Sequence, residues 1–137
     1  MADPSTSSEH PSAARIRAAI EAFAAEDYAA AAAVLDEHCH YRVNGRSRIS
    51  GTYVGRDAIV GLFRRIDELT GGTFNTSPFE IFANDSDAVA LIDVTAERGG
   101  ESIAYSLVIV AHLEEGAIVE MWSITDDPYR IDPFWDA

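Results

Sequence analysis

The sequence predicts an α+β domain in which helices grouped early pack on one face of an antiparallel sheet grouped late. Three observations carry this. Apolar residues recur at helical spacing through most of the first half of the chain. After Gly72 the period changes to that of extended strands. The connectors between those strands are too short for parallel crossovers, which need about a dozen residues or more. Helices grouped early and strands grouped late define the α+β class.

Residues 1–11 are rich in Ser, Pro and small polar side chains and read as a loose tail, with a single domain over 12–137. From Ser12 the pattern turns helical, and Ile16, Ala19, Ile20 and Phe23 form one apolar stripe. Asp27 is placed to cap a second helix, since its carboxylate can accept from the free amides of the first turn. That helix is expected to run through Ala29 to Ala33, packing closely, and to end near Glu37. His38 to Asn44 reads as a strand with Cys39, Tyr41 and Val43 on one face and His38, His40 and Arg42 on the other. Gly45 to Gly55 reads as loop plus a short extended piece. Asp57 is expected to open a third helix, with Ile59, Leu62, Phe63 and Ile66 buried and Gly71-Gly72 as its stop.

Four extended runs follow: Thr73 to Ala83, Ala88 to Glu97, Ser102 to Leu113, and Ala117 to Thr125. The two middle runs are apolar on both faces, whereas a sheet covered on one side alternates. One face therefore packs under the helices, and a second copy of the chain is the cheapest cover for the other.

With 23 acidic against 10 basic residues the formal charge is -13. Such a surface repels phosphate backbones and anionic bilayers, which argues against nucleic-acid and membrane partners. No apolar run approaches the ~20 residues of a membrane span. The N-terminus carries no secretory pattern, so the expected location is the cytoplasm. A single cysteine, Cys39, rules out an internal disulfide. Its apolar strand face argues for an inert buried thiol. His38 and His40 project together, but no third ligand at usual spacing accompanies them, so no metal site is expected. His112 falls on the face opposite Leu107, Ile109 and Ala111, outside the pocket, where it suits a contact between copies. Phosphate-binding loops, a dinucleotide fingerprint and a nucleophile elbow are all missing from the sequence.

Three segments carry a resemblance: Tyr41-Arg42-Val43-Asn44-Gly45, Gly51-Thr52-Tyr53-Val54-Gly55-Arg56-Asp57-Ala58-Ile59, and Glu120-Met121-Trp122-Ser123-Ile124-Thr125-Asp126-Asp127. With Ile131-Asp132-Pro133-Phe134-Trp135 near the end, they resemble the nuclear transport factor 2-like superfamily. The similarity is to its SnoaL-like polyketide cyclase and ketosteroid isomerase-like branch, over roughly residues 12–136. The resemblance implies a cone-shaped α+β domain, its curved antiparallel (mixed) sheet packed against three N-terminal helices and enclosing an apolar pocket, and commonly a homodimer through the sheet. It also implies acid–base chemistry on flat hydrophobic substrates without a metal or cofactor.

Carried over position by position, the isomerase branch's strand carboxylate falls at Val43. Its helix tyrosine falls at Ala19 and its second acid near Ile109. All three are apolar here, so that mechanism does not transfer, and fold analogy assigns no reaction by itself. Alternation along the last strand groups Trp122, Ile124 and Asp126 on one face and turns Asp127 to the other. Trp122 and Asp126 also meet the SnoaL-like spacing of a tryptophan followed four residues later by an aspartate. A carboxylate in an apolar pocket has its charged form disfavoured, which raises its pKa toward the working pH of a general acid or base. Asp126 is therefore the first catalytic candidate, and Asp127 the second, because a β-bulge would exchange them. The plain alternative is a carboxylate that caps the strand end or pairs with an arginine. Tyr41 is the candidate hydrogen-bond donor to ligand. Trp122, Tyr53, Tyr105, Val43 and Ile109 are the candidate apolar wall.

The function these readings support is a cofactor-free acid/base enzyme acting on a hydrophobic, polyketide- or steroid-like small molecule, as a cyclase, isomerase or dehydratase. Its alternatives are a non-catalytic small-molecule-binding protein and a dimeric interaction module.

Overall fold

The structure is a computed structural model and describes residues 9–125 and 127–136. Helix α1 spans Pro11–Ala24; the His10 ring nitrogen accepts the Ser12 amide at 3.0 Å and proline occupies the first turn. That is where a missing N–H costs nothing. Helix α2, Tyr28–Ala33, is capped by Asp27, whose Oδ1 accepts the Ala30 amide at 3.2 Å.

Helix α2 ends four residues before the expected Glu37, and only Ala31 of its alanines is buried. The cause lies in the next segment. The Val34 carbonyl accepts the Ile118 amide at 3.0 Å, and Leu35 is 1% exposed. Sheet pairing and burial of Leu35 together take the chain out of the helix and into β1, Leu35–Val43.

The loop piece is β2, Gly51–Val54. Helix α3 covers Arg56–Thr70, with Gly55 at its N-cap and Gly71 left-handed at its C-terminus. Asp57 stands in the first turn, not at the cap, where its charge complements the helix dipole. The meander follows closely as expected: β3 Asn75–Ala83, β4 Asp87–Arg98, β5 Glu101–Glu114 and β6 Ala117–Thr125.

A fourth helix, α4, covers Pro128–Asp136, where three N-terminal helices were expected. Its Pro133 leaves the Tyr129 carbonyl without its usual amide, at a residue 93% exposed to water. Its other face buries Ile131, Phe134 and Trp135.

The six strands form one open sheet in the order β2-β1-β6-β5-β4-β3. The β1–β6 pairing is parallel and the rest are antiparallel, so the sheet is mixed. Register sets the faces. One row toward the helices is Tyr41, Met121, Ala111 and Ala88; the next is Val43, Ser123, Ile109 and Ala90. The opposite face carries the rows Arg42, Trp122, Val110, Val89, Phe82 and Ile124, Val108, Leu91. His112 lies on that opposite face, outside the pocket, its Nδ1 3.0 Å from Asp87 Oδ1. The carboxylate raises the imidazole pKa, and the imidazole lowers that of Asp87. Among the described residues no helix is long and apolar enough to cross a membrane.

Candidate functional site

Between the inner sheet face and the helices lies a hollow of two lobes, each with about 50 Å³ of free space. The outer lobe is walled by Ile16, Ala19, Ile20 and Phe23 of α1 against Ile92, Ile109 and Met121 of the sheet. Its surface is almost wholly hydrocarbon, as expected from an apolar helix stripe facing the covered side of a sheet. The inner lobe lies toward α4 and is more polar. Tyr105, Asn44, Ser47, Ser123, Thr125, Asp132 and Trp135 all reach it.

Tyr41, Phe63, Phe74 and Leu107 border both lobes and form the waist between them. Phe63 stacks on Phe23 with centroids 3.9 Å apart and lies nearly parallel to Tyr41 at 6.0 Å. Offset aromatic stacking of this kind fixes ring orientation beyond what area burial supplies. The waist is thus a built wall.

Two phenols enter the hollow. Burial pushes the Tyr41 pKa up to about 12, moderated by the neighbouring Ser123 hydroxyl. Burial likewise raises that of Tyr105, while the Trp135 indole N–H and Arg130 pull it back in part. Both phenols stay protonated at neutral pH and are available as hydrogen-bond donors.

Helix α4 is strapped over the inner lobe by the β1–β2 loop. The Arg46 amide donates to Asp132 Oδ2 at 2.8 Å, and the Arg48 amide to Asp136 Oδ1 at 2.8 Å. The approach at Asp132 requires glycine at position 45. Its φ is +98°, and a Cβ there would stand 2.6 Å from Asp132 Oδ1. At the rim, Asn44 exchanges hydrogen bonds with the Thr125 backbone at 3.0 and 3.2 Å, continuing the β1–β6 contact. Asp132 is the one carboxylate among the described residues that lines either lobe.

Four of the expected site residues meet at this hollow. Tyr41 borders both lobes, Val43 and Tyr105 the inner, and Ile109 the outer. Ala19 lines it too, so the three apolar carry-over positions do stand at the cavity wall.

Other expectations are corrected. Trp122 faces away, on the outer sheet surface, with the Arg42 guanidinium 5.8 Å from its ring centroid. Ile124 beside it is 46% exposed. The alternation along β6 was right and its direction was wrong, because both faces of that strand carry apolar residues. Met121, Ser123 and Thr125 point in. Tyr53 packs at the cavity's flank, where its hydroxyl donates to the Ile49 carbonyl at 2.8 Å, and it lines neither lobe. Asp127 caps α4, its carbonyl accepting the Arg130 and Ile131 amides at 3.2 Å each, and it also lines neither lobe. Asp126 lies outside the described residues.

Residues missed from sequence are Asp132, Trp135, Phe63 and Phe74. The first two had a readable signal: Asp127-Pro128 is a cap followed by proline at the first helical position. Cys39 is fully buried and its thiol is pushed up to about 12 by burial, with Asp36 and Glu120 adding to the rise. Among the described residues no three His, Cys, Asp or Glu side chains gather as metal ligands would.

Residues 16–121 match the family model of the SnoaL-like domain. Bal32a, from a soil-derived mobile gene cassette, is 31% identical with a TM-score of 0.87, over 91% of this chain and 96% of that one. An NTF2-like protein of unknown function from Burkholderia pseudomallei is 19% identical with a TM-score of 0.83, over 94% and 100%. TerC, co-crystallised with polyporic acid, is 15% identical with a TM-score of 0.82, over 93% and 100%. The last two likenesses are of fold. No curated protein matches the chain significantly.

Proposed function

The chain belongs to the SnoaL-like domain family of the nuclear transport factor 2-like superfamily, and from that premise we propose that it binds a small hydrophobic molecule and moves a proton on it without a cofactor. The observation that carries this is the polarity of the hollow. One end is hydrocarbon, and the other holds two protonated phenols and a carboxylate. A greasy skeleton fits the first end and an acid–base reaction beside an oxygen fits the second.

The proton carrier is Asp132, in the inner wall, or Asp126, which follows Thr125 of that wall in sequence. Tyr41 orients the substrate oxygen. Cyclase, isomerase and dehydratase reactions all need this step.

The test uses 1-indanone, a flat ketone, in deuterated buffer. Saturable binding with exchange of its α-protons well above the buffer rate is the expected result. Binding without any exchange would support the second reading, a non-catalytic binding protein. That reading draws on the apolar side chains of Ala19, Val43 and Ile109 in the wall. Polyporic acid, found with TerC, is a further compound to try.

We also propose that the outer sheet face pairs with a second copy of the chain. Phe82 is 57% and Ile124 46% exposed there, in register with Trp122, Val110, Val108 and Leu91. A continuous apolar stripe of this kind on a highly charged protein marks an interface. Sedimentation should find a dimer that Ile124→Glu converts to monomer; a wild-type monomer at high micromolar concentration would end this proposal.

A further inference from the structure

Each lobe of the hollow holds about 50 Å³ of free space. A hydrocarbon cavity that takes up benzene measures about 150 Å³. Neither lobe, nor the two together, admits even one aromatic ring while the waist stays closed. A close-packed interior does not stretch on demand, so a ring-bearing ligand enters only if a waist side chain gives way.

The four waist residues differ in their freedom to do so. Tyr41 and Leu107 are 4% and 8% exposed and stand on β1 and β5, each paired on both sides. Phe74 leans on the buried Trp135 at 6.0 Å. Its neighbour Thr73 is tied to Glu97 by hydrogen bonds of 2.8 and 3.0 Å, and Asn75 pairs with Thr95. Phe63 is different. It rises from the middle of α3, is only partly buried, and borders both lobes. What keeps it in the waist is its stack on Phe23, at 3.9 Å, and its parallel contact with Tyr41. A helical phenylalanine has two favoured χ1 wells, so its ring can exchange one for the other with the backbone unmoved.

We propose that Phe63 sets the size of ligand this hollow accepts: stacked, it divides the space into two parts too small for a ring, and displaced, it joins them into one. This rests on the reading of the hollow as a small-molecule site and adds how that site opens and what limits its contents. Every ring-bearing ligand gives up the Phe23 stack on entry, and the largest one is fixed by the room the displaced ring leaves.

The test compares 1-indanone, with two fused rings, and 9-fluorenone, with three and the same oxygen. Phe63→Ala deletes the stack and adds the volume of a phenyl ring to the hollow. Its affinity for 1-indanone should rise about tenfold, the upper worth of one aromatic pair. Association, followed by stopped flow, should quicken by a similar factor, because no ring has to leave first. 9-Fluorenone should gain more than 1-indanone in both readouts. Phe63→Leu keeps an apolar side chain in the core and should shift both ligands the same way, which covers an alanine variant that fails to fold. Phe63→Trp, with its larger ring, should weaken both and 9-fluorenone the more. If wild type and the alanine and leucine variants bind 1-indanone with one affinity and one rate, and rank the two ketones alike, Phe63 is a fixed wall and the hollow still holds ligand. If 1-indanone binds none of the proteins, the small-molecule reading fails and the gate with it.

Discussion

Asp132→Asn is expected to slow α-proton exchange of bound 1-indanone by about a hundredfold or more, while its affinity stays within about threefold of wild type. The two halves of this expectation have separate causes. Asparagine has the shape of aspartate and keeps an oxygen that can accept the Arg46 amide, now at 2.8 Å. The strap between the β1–β2 loop and α4 therefore survives, and the inner lobe keeps its walls. What is lost is the proton acceptor, and a positioned general base contributes typically ~10²–10⁴-fold. Asp126→Asn, made in parallel, separates the two carboxylates. If Asp126→Asn abolishes exchange and Asp132→Asn does not, the base is the residue first pointed to by the spacing from Trp122. If neither variant slows a measurable wild-type rate, carboxylate catalysis in this hollow is excluded.

The second large effect is on stability. Trp135→Ala should lower the unfolding free energy by about 3–5 kcal/mol, the range for emptying a large aromatic site. Trp135 has the largest side chain of those fully buried. Its ring meets Phe134 edge-on at 5.1 Å and Phe74 at 6.0 Å. Helix α4 has nine residues with a proline inside, too short to hold itself by backbone hydrogen bonds alone. Its attachment depends on Ile131, Phe134 and Trp135, on the loop amides, and on Arg98, which donates to the Phe134 carbonyl at 3.0 Å. Urea denaturation followed by far-UV circular dichroism measures the loss without relying on the deleted fluorophore. A loss below about 1 kcal/mol would mean that α4 is a loosely laid cover, and the inner lobe would then have no rigid wall.

The candidate site was legible in proportion to how local its determinants are. Tyr41 and Val43 were placed correctly because the β1 alternation has one clearly apolar face, Cys39-Tyr41-Val43, against His38-His40-Arg42. The same rule applied to β6 gave the right grouping and the wrong direction. Trp122 and Ile124 are as apolar as Met121, so nothing within the strand says which set is covered. Register with β1 and β5 says it: Met121 sits level with Tyr41 and Ala111. The end of α2 failed for a related reason. Five alanines favour helix, but the Val34 carbonyl is claimed by an amide 84 positions further on.

The sequence alone determined the class of fold, the order of elements from β1 to β6, and the boundaries of the meander to within a residue or two. Periodicity, glycine and capping residues act over a few positions and can be read there. Only the tertiary structure decided which face of β6 meets the helices, that a proline-containing segment closes as α4, and that Asp132 and Trp135 meet Tyr41 and Tyr105 around one hollow. Those relations join residues about 30 to 95 positions apart, and they exist only once burial and strand pairing have brought the segments together.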